Sequence, residues 1–358
     1  MITPTANLQL EQALRFKLQQ RAELDGGLGL LEPLALRLGL IQNTLRPRFR
    51  APQITLFAAD HGLAVDGIGA RHASTSTLVA RLLNSQLPVA VYARLQGLEL
   101  TVVDCGMAEA APPHARLQAR KIAHGTRNAR VTSAMVPEQA HAAIRAGQEI
   151  ADALPGNAVA CAGIGVGSNE SAALVLSRLG DVPLADLLNF DAGVPHPSRS
   201  HYLQVLQAAQ ARHKNVVDAI DVLAAFGGYE TAMMVGVMLA AASKRQLVLV
   251  DGLAACAALM VAARIAPAVI DYCIHCRSTR NDGLDTALEL FNATALLELG
   301  IDGTDGTGSA LAWPLVRCAA ALLTEVADGA DPGPSQPGTL SGTLPGTLPG
   351  NTTATVEH

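Results

Sequence analysis

Four short segments that look like strands, each followed directly by an acid or a glycine, constrain most strongly what this chain can fold into. They are Gln53–Ala59, Leu98–Val103, Ala158–Ile164 and Gln246–Val250. The first is a short apolar run, as expected of a strand that is buried on both faces. Segments with helical spacing lie between them, and strands that alternate with helices predict a mostly parallel sheet with helices on both faces. The sequence therefore predicts an α/β fold.

Polar residues follow the predicted strands at their carboxyl ends. Asp60 and His61 follow the first run, Asp104 follows the second, and Asp251 and Gly252 follow the last. Because the carboxyl ends of parallel strands share one edge of a sheet, where ligands bind, we expect a site there. For His61, a general base, a hydrogen bond to substrate and a structural contact all stay open.

Charge and composition exclude several classes of partner. The 358 residues carry a net charge of −5, and the 26 basic residues form no run or stripe. Nucleic acid and acidic membrane surfaces are therefore not expected partners. The first 21 residues have no continuous apolar core, so they do not resemble a signal peptide. Six scattered cysteines fit a reducing compartment, so we expect a cytoplasmic protein.

Two further segments differ from ordinary globular sequence. The apolar stretch Leu253–Ile270 is interrupted by Arg264 and Pro267, so it predicts a buried helix rather than a membrane span. From Asp328 onward the composition is dominated by Gly, Pro, Thr and Ser, with the near-repeat PGTLSGTLPGTLPG. Such a composition cannot bury a core, so residues 328–358 are predicted to be a disordered tail.

A glycine-rich turn lies between the third strand and the next helix. It places Gly163, Gly165 and Gly167 ahead of Ser168 and Asn169. Main-chain N–H groups at a helix start, with the helix dipole, form an anion site, and glycine lets a phosphate approach the backbone. An ordinary strand-to-helix turn, with Ser168 or Asn169 as the N-cap, explains the pattern equally well.

Two other groups of candidate ligands carry weaker signals. Cys273 and Cys276 form a lone CxxC pair, and no second pair of ligands follows at a matching spacing, so no metal site is predicted. His196 and His201 lie in VPHPSRSHY, which the prolines indicate is a solvated loop.

The stretch GIDGTDGTGSALAWP, from Gly300 to Pro314, is compatible with a linker, a phosphate cradle or a catalytic carboxylate. A carboxylate among glycine N–H groups beside a helix start can be tuned for general-base work. Spacing alone favours a capping loop, in which Asp302 or Asp305 caps a helix that starts near Ser309.

Taken together, six segments in one order resemble the nicotinate-nucleotide:dimethylbenzimidazole phosphoribosyltransferases of cobamide biosynthesis. The segments are Gly26–Glu32, Phe57–Ala70, Gly163–Ala173, Phe226–Ala242, Val248–Leu259 and Thr304–Val316. The resemblance covers roughly residues 20–325 and identifies the chain as a divergent member of this family. It implies a transferase that moves the ribose phosphate of nicotinate mononucleotide to a benzimidazole-like base, without a cofactor or a metal.

The resemblance also implies an architecture. A large Rossmann-like domain would span residues 51–270, and a small helical domain would combine residues 1–50 with residues 271–327, which carry the catalytic loop. A homodimer is the implied assembly. Two alternatives stay open: a catalytically impaired relative that serves as a ligand-binding or regulatory subunit, and another phosphosugar enzyme on the same scaffold.

Site residues follow from the resemblance position by position. Asp305 stands where the family has its catalytic glutamate, and Tyr202 lies near the position of the family's phosphate-binding lysine. The implied phosphate and nucleotide site comprises Gly163, Gly165, Gly167, Ser168, Asn169, Asp251 and Gly252. The implied acceptor-base pocket comprises His61, Gly69, Arg71, His72 and Thr304.

Overall fold

A six-stranded, entirely parallel sheet forms the centre of the protein in a computed structural model. The structure describes residues 1–25, 27–69, 73–188, 196–278, 282–301 and 303–326. The predicted tail at 328–358 lies outside the described residues, as do Arg71, His72 and Asp302. The strands are β1 (Gln53–Ala59), β2 (Glu99–Gly106), β3 (Leu117–Ala119), β4 (Ala158–Ile164), β5 (Leu247–Val250), β6 (Cys273–His275), β7 (Arg277–Ser278) and β8 (Leu297–Glu298).

Helices connect the strands and pack around the sheet. In chain order they are α1 (Leu8–Asp25), α2 (Leu31–Gln42), α3 (Thr75–Leu83), α4 (Pro88–Leu95), α5 (Pro137–Ala153), α6 (Ser168–Gly180), α7 (His196–Arg212), α8 (Ala219–Phe226), α9 (Tyr229–Ser243), α10 (Leu253–Ile265), α11 (Asp282–Glu289) and α12 (Thr307–Thr324). Helix α9 contacts β1, β2, β4 and β5, while α12 packs against α2 and α4. The structure thus confirms the predicted α/β fold.

The strand order determines where a ligand can bind. The six strands lie in the order β3-β2-β1-β4-β5-β6, and the short pair β7-β8 forms a separate parallel ladder. From β1 the chain proceeds to β2 on one side, whereas β4 lies on the other side. The crevice at such a switch point, outside the carboxyl ends of the strands, is the usual ligand site of an open parallel sheet. The loops after β1 and β4 border this crevice.

The apolar segments at β1 and β4 form strands whose two faces are both buried. Strands β1 and β4 begin and end at the predicted residues, and every residue in both is buried. The stretch proposed as a buried helix forms α10, with all of Ala254–Ala262 buried. Among the described residues, no helix combines the length and apolarity needed to cross a membrane.

One predicted loop is wrong. The segment that contains His196 and His201 forms the first turns of α7 rather than a solvated loop. Pro197 falls in the first helical turn, where its missing N–H removes no intrahelical hydrogen bond, so proline here starts a helix instead of breaking one.

Residues Met1–Glu325 form one compact unit. The boundaries expected at residues 50 and 270 fall inside this unit, and the division into a large and a small domain stays a prediction.

Candidate active site at the carboxyl edge of the sheet

The loops that follow β1 and β4 touch each other at the switch point. His61 N donates a hydrogen bond of 3.3 Å to the carbonyl of Val166. A β-carbon built at Gly69 would lie 2.5 Å from the nitrogen of Gly167, and one built at Gly167 would lie 2.9 Å from Cβ of His61. Glycine is therefore required at both positions for the loops to approach. The structure brings Gly69, Gly167 and His61 together.

Beneath this contact lies a buried hydrogen-bonded group of His61, Ser168 and Glu230, which we call the Glu230 cluster. Nε2 of His61 lies 2.9 Å from Oε1 of Glu230, and the Ser168 hydroxyl donates to the same oxygen at 3.0 Å. The side chains of His61 and Glu230 are 1% and 0% exposed. The cluster joins the end of β1 to the first turns of α6 and α9.

The two titratable groups of the Glu230 cluster stabilise each other's charged form. Burial lowers the pKa of His61, but the charge and hydrogen bond of Glu230, together with the charges of Glu170 and Asp60, bring that pKa above its ordinary value. Burial raises the pKa of Glu230, yet the charge and hydrogen bond of His61 bring it below its ordinary value. The pair is therefore an ion pair over an intermediate pH range. Its burial argues against His61 touching an acceptor base directly.

The glycine turn between β4 and α6 is shaped by close backbone approaches. Gly163 lies inside β4, where a β-carbon would be 2.7 Å from Cβ of Ala254. At Gly165 a β-carbon would be 1.8 Å from the carbonyl oxygen of Ala59. Gly167, with a φ of 87°, is the N-cap residue of α6.

No side chain of the described residues caps α6, so the alternative in which Ser168 or Asn169 is the N-cap is wrong. The Ser168 hydroxyl is committed to Glu230, while Asn169 is exposed. Main-chain N–H groups in the first turn of a helix lack intrahelical acceptors, and the dipole favours an anion there. Glu170 lies in the same turn and accepts a hydrogen bond from the Tyr202 hydroxyl.

A second buried group of charges lies at the ends of β5, β7 and the loop before α12. It comprises Asp251, Arg277 and Asp305, and we call it the Arg277 cluster. Nε of Arg277 donates to Oδ1 of Asp251 at 2.7 Å, and Nη2 donates to Oδ1 of Asp305 at 2.9 Å. The side chains of Asp251, Arg277 and Asp305 are 0%, 5% and 14% exposed, so Asp305 is the member that reaches the surface.

Asp305 does not cap α12. The helix begins at Thr307 with Gly306 as its N-cap residue, and no side chain of the described residues, which exclude Asp302, accepts a capping hydrogen bond there. The carboxylate of Asp305 instead packs against the backbone of Gly252, where a β-carbon would lie 2.1 Å from Cγ of Asp305. Gly252 also has a φ of 95°, which favours glycine. The expected capping role is therefore wrong, and the acid is held at the sheet edge.

Both carboxylate oxygens of Asp251 accept hydrogen bonds from within the protein. Its Oδ1 accepts from Arg277, and its Oδ2 accepts from the main-chain N–H of Ser309 at 3.0 Å. These contacts favour a role in holding the loop around Asp305, rather than the direct contact with a nucleotide that was expected. Thr304 contributes its carbonyl oxygen to the start of α12, where it accepts from the N–H and the hydroxyl of Thr307 at 3.1 and 2.6 Å.

Sequence reasoning missed Arg277 and Glu230. Charged side chains are almost never fully buried unless they are paired. This was the available signal, because Glu230 opens the otherwise apolar helix α9 and Arg277 follows the buried strand β6. Cys273 and Cys276 are buried free thiols, and the described residues contain no group of three or more His, Cys, Asp or Glu side chains that could hold a metal.

The fold is that of an α/β protein with an open parallel sheet. A glycine turn follows β4, and the buried carboxylate of Asp251 follows the neighbouring strand β5. In such a sheet the candidate ligand site is the switch point. Comparison with known proteins gives the family. The sequence model of a phosphoribosyltransferase family matches residues 3–333.

Named relatives and solved structures agree with this match. The nicotinate-nucleotide–dimethylbenzimidazole phosphoribosyltransferase of Cupriavidus necator is 41% identical over 336 residues, which cover 91% of this chain and 96% of the relative. That of Dechloromonas aromatica is 38% identical over 333 residues, with 91% and 96% covered. The crystal structure of the Thermus thermophilus enzyme superposes with a TM-score of 0.81 at 26% identity, covering 89% of this chain and 96% of that one. The chain belongs to the nicotinate-nucleotide–dimethylbenzimidazole phosphoribosyltransferase family.

Proposed function

We propose that this protein transfers the phosphoribosyl group of nicotinate mononucleotide to a ring nitrogen of a benzimidazole-type base. The new bond joins that nitrogen to the anomeric carbon of the ribose, while the bond from this carbon to nicotinate breaks. The azole loses its N–H proton to a base, and the products are nicotinate and an α-linked ribotide phosphate. Family membership at about 40% identity over nine-tenths of the chain supports this reaction.

Asp305 is the proposed base, and its placement is the observation that carries the proposal. It is a carboxylate held at the carboxyl edge of the sheet by Arg277 and Gly252, with 14% of its side chain exposed. A general base must be within hydrogen-bond reach of the proton that it removes, and positioning of both substrates supplies much of the remaining acceleration. An acid that is held but accessible meets the first requirement.

The phosphate of nicotinate mononucleotide is assigned to the turn after β4. Of the main-chain N–H groups between Gly165 and Asn169, those of Val166 and Ser168 already donate to Oγ1 of Thr75 and to the carbonyl of Gly165. The others, at the start of α6, are the proposed donors, and the helix dipole favours an anion there. Gly163 shapes this turn from within β4, and the Glu230 cluster supports it from below. No basic side chain is needed for such a site, since main-chain N–H groups provide the hydrogen bonds.

The acceptor base is assigned to the loop after β1. Gly69 lies against Gly167, so an acceptor bound by this loop would be next to the phosphoribosyl site. Arg71, His72 and Thr304 remain the proposed lining of this pocket. The arginine and histidine favour an acceptor with a hydrogen-bonding edge. The homodimer implied by the family likewise stays a proposal.

The reaction is tested by incubating the protein with nicotinate mononucleotide and a panel of benzimidazoles, purines and phenols. Nicotinate release is measured, and the ribotide is identified by mass. The control is the same mixture without an acceptor. Acceptor-dependent release of nicotinate with a matching ribotide is expected. Tight calorimetric binding of nicotinate mononucleotide without release for any acceptor would instead support the alternative of a ligand-binding subunit.

A further inference from the structure

Within the part of the chain that the structure describes, Arg277 makes four hydrogen bonds that converge on the residues around Asp305. Besides the two carboxylates of its cluster, it donates from Nη1 to the carbonyl of Ile301 at 2.5 Å and from Nη2 to the carbonyl of Gly303 at 3.0 Å. We infer that Arg277 is the positioning residue for Asp305, and that it makes aspartate, rather than glutamate, the acid that fits at this position. This inference rests on the proposed role of Asp305 as the base.

The shape of the guanidinium explains the positioning. Its N–H groups lie in one plane at set angles, so an arginine that uses Nε and both terminal nitrogens defines the relative places of all its acceptors. Nε is held by Asp251 at the end of β5, which is part of the rigid sheet. The remaining donors then place the Asp305 carboxylate and the preceding loop relative to that sheet.

Two glycines, Gly308 and Gly252, pack against the side chains of the Arg277 cluster. A β-carbon built at Gly308 would lie 2.6 Å from Cδ of Arg277 and 2.8 Å from Oδ1 of Asp251. A β-carbon built at Gly252 would lie 2.1 Å from Cγ of Asp305. The backbone is therefore packed directly against both the arginine and the acid, and neither side chain has room to shift toward it.

This packing selects the length of the acid. A glutamate at position 305 would displace the carboxylate by about one C–C bond, roughly 1.5 Å. It would have to break the bond to Arg277 or overlap the backbone of Gly252. The packing around Arg277 therefore favours aspartate over glutamate at position 305.

The test is a double-mutant cycle between Asp305→Glu and Arg277→Lys. Lysine keeps the positive charge but lacks the planar fork. We expect Asp305→Glu to lower kcat by on the order of a hundredfold, because displacing a catalytic group by about 1 Å can cost that much. The KM for nicotinate mononucleotide should change little. In the Arg277→Lys background the penalty for glutamate should shrink at least severalfold, because the restraint on acid length is gone.

Arg15→Lys is the matched control, since Arg15 donates two hydrogen bonds to Oε1 of Glu11 on the exposed side of α1, away from the proposed site. It should leave kcat unchanged. Full activity of Asp305→Glu, or losses that multiply independently in the double variant, would overturn the inference. If Arg277→Lys does not fold, the kcat of the single Asp305→Glu variant decides alone. Failure of the proposed function itself is distinguishable, because the wild type would then release no nicotinate, or Asp305→Asn would be fully active.

Discussion

The Glu230 cluster and the Arg277 cluster are two buried groups of charges at one edge of the sheet, and they differ in what they leave accessible. In the Glu230 cluster the side chains of His61 and Glu230 are 1% and 0% exposed, so neither charged group is accessible to a ligand. In the Arg277 cluster, Asp305 is 14% exposed. The first supports a loop, whereas the second holds a side chain that a substrate can meet.

This difference leads to separate predictions for the free energy of unfolding and for kcat. Burying two charges costs several kcal/mol of desolvation for each ion, which their attraction only partly offsets, so such pairs are weak contributors to stability. Removal of one partner is nevertheless strongly destabilising, because the other charge remains buried and uncompensated. Changes in the Glu230 cluster should therefore appear in the free energy of unfolding, and changes at Asp305 should appear in kcat.

The largest expected effect on stability follows from Glu230→Ala. The variant leaves His61 buried without its counter-charge, so the free energy of unfolding should fall by about 3–5 kcal/mol, measured by urea denaturation. Glu149→Ala is the matched control, because Glu149 is 66% exposed and only 3.7 Å from Arg120. That control should change stability by less than about 1 kcal/mol. Equal effects of both variants would remove the distinction between the buried cluster and an ordinary surface pair.

Gly252→Ala should disturb the Arg277 cluster from the backbone side. The new methyl group would overlap the Asp305 carboxylate, and the φ of 95° disfavours any side chain. Gly67→Ala is the matched control, since Gly67 has a φ of 79° but open space around it. The control should lose about 1–2 kcal/mol from backbone strain alone. Gly252→Ala should lose more and should also lose nicotinate release. Retained activity would show that Asp305 does not need this packing.

The contribution of the Glu230 cluster to stability should also depend on pH, and this effect should be of intermediate size. The raised pKa of His61 contributes stability that is present below its ordinary value of 6.5 and is lost as pH rises through the raised value. The lowered pKa of Glu230 contributes stability that is present above 4.5 and is lost as pH falls through the lowered value.

The stability advantage of wild type over Glu230→Gln should therefore be greatest between about pH 4.5 and 6.5. It should decline on both sides in urea titrations at a series of pH values. An advantage that does not change with pH would mean that the pair is not ionic in the folded protein.

The smallest expected effect concerns Glu170, whose carboxylate shares the first turn of α6 with the proposed phosphate site. Glu170→Gln removes a negative charge next to a bound phosphate, so the KM for nicotinate mononucleotide should fall by about twofold to fivefold at low salt. Glu138→Gln, in the first turn of α5, is the matched control and should leave KM unchanged. An increase in KM would place the phosphate elsewhere.

Local sequence predicted the strands that position the site but not the contacts between its side chains. Strands β1 and β4 were recognisable because burial on both faces requires an uninterrupted apolar run, and Pro52 and Asp60 mark the bounds of β1. The helix at α7 was missed because Pro197 can either break a helix or begin one, and only the tertiary context decides.

The pairings within the two clusters could not be read from local patterns. His61 and Glu230 are 169 residues apart, and Arg277 is 26 and 28 residues from its two acids. Such contacts depend on strand order, which places the ends of β1, β4 and β5 side by side. The resemblance to a family made Asp305 a candidate base, whereas spacing alone favoured a helix cap, which Asp305 does not form.

The most direct test of Asp305 as the base compares nicotinate release by wild type, Asp305→Asn and the control Asp221→Asn, which alters an exposed acid on α8. Nicotinate mononucleotide and benzimidazole are supplied at saturating concentrations. Asp305→Asn should lower kcat by on the order of 10²- to 10⁴-fold, the usual contribution of a general base, while the calorimetric affinity for nicotinate mononucleotide is retained. The control should match wild type. A kcat for Asp305→Asn equal to that of wild type would contradict the account.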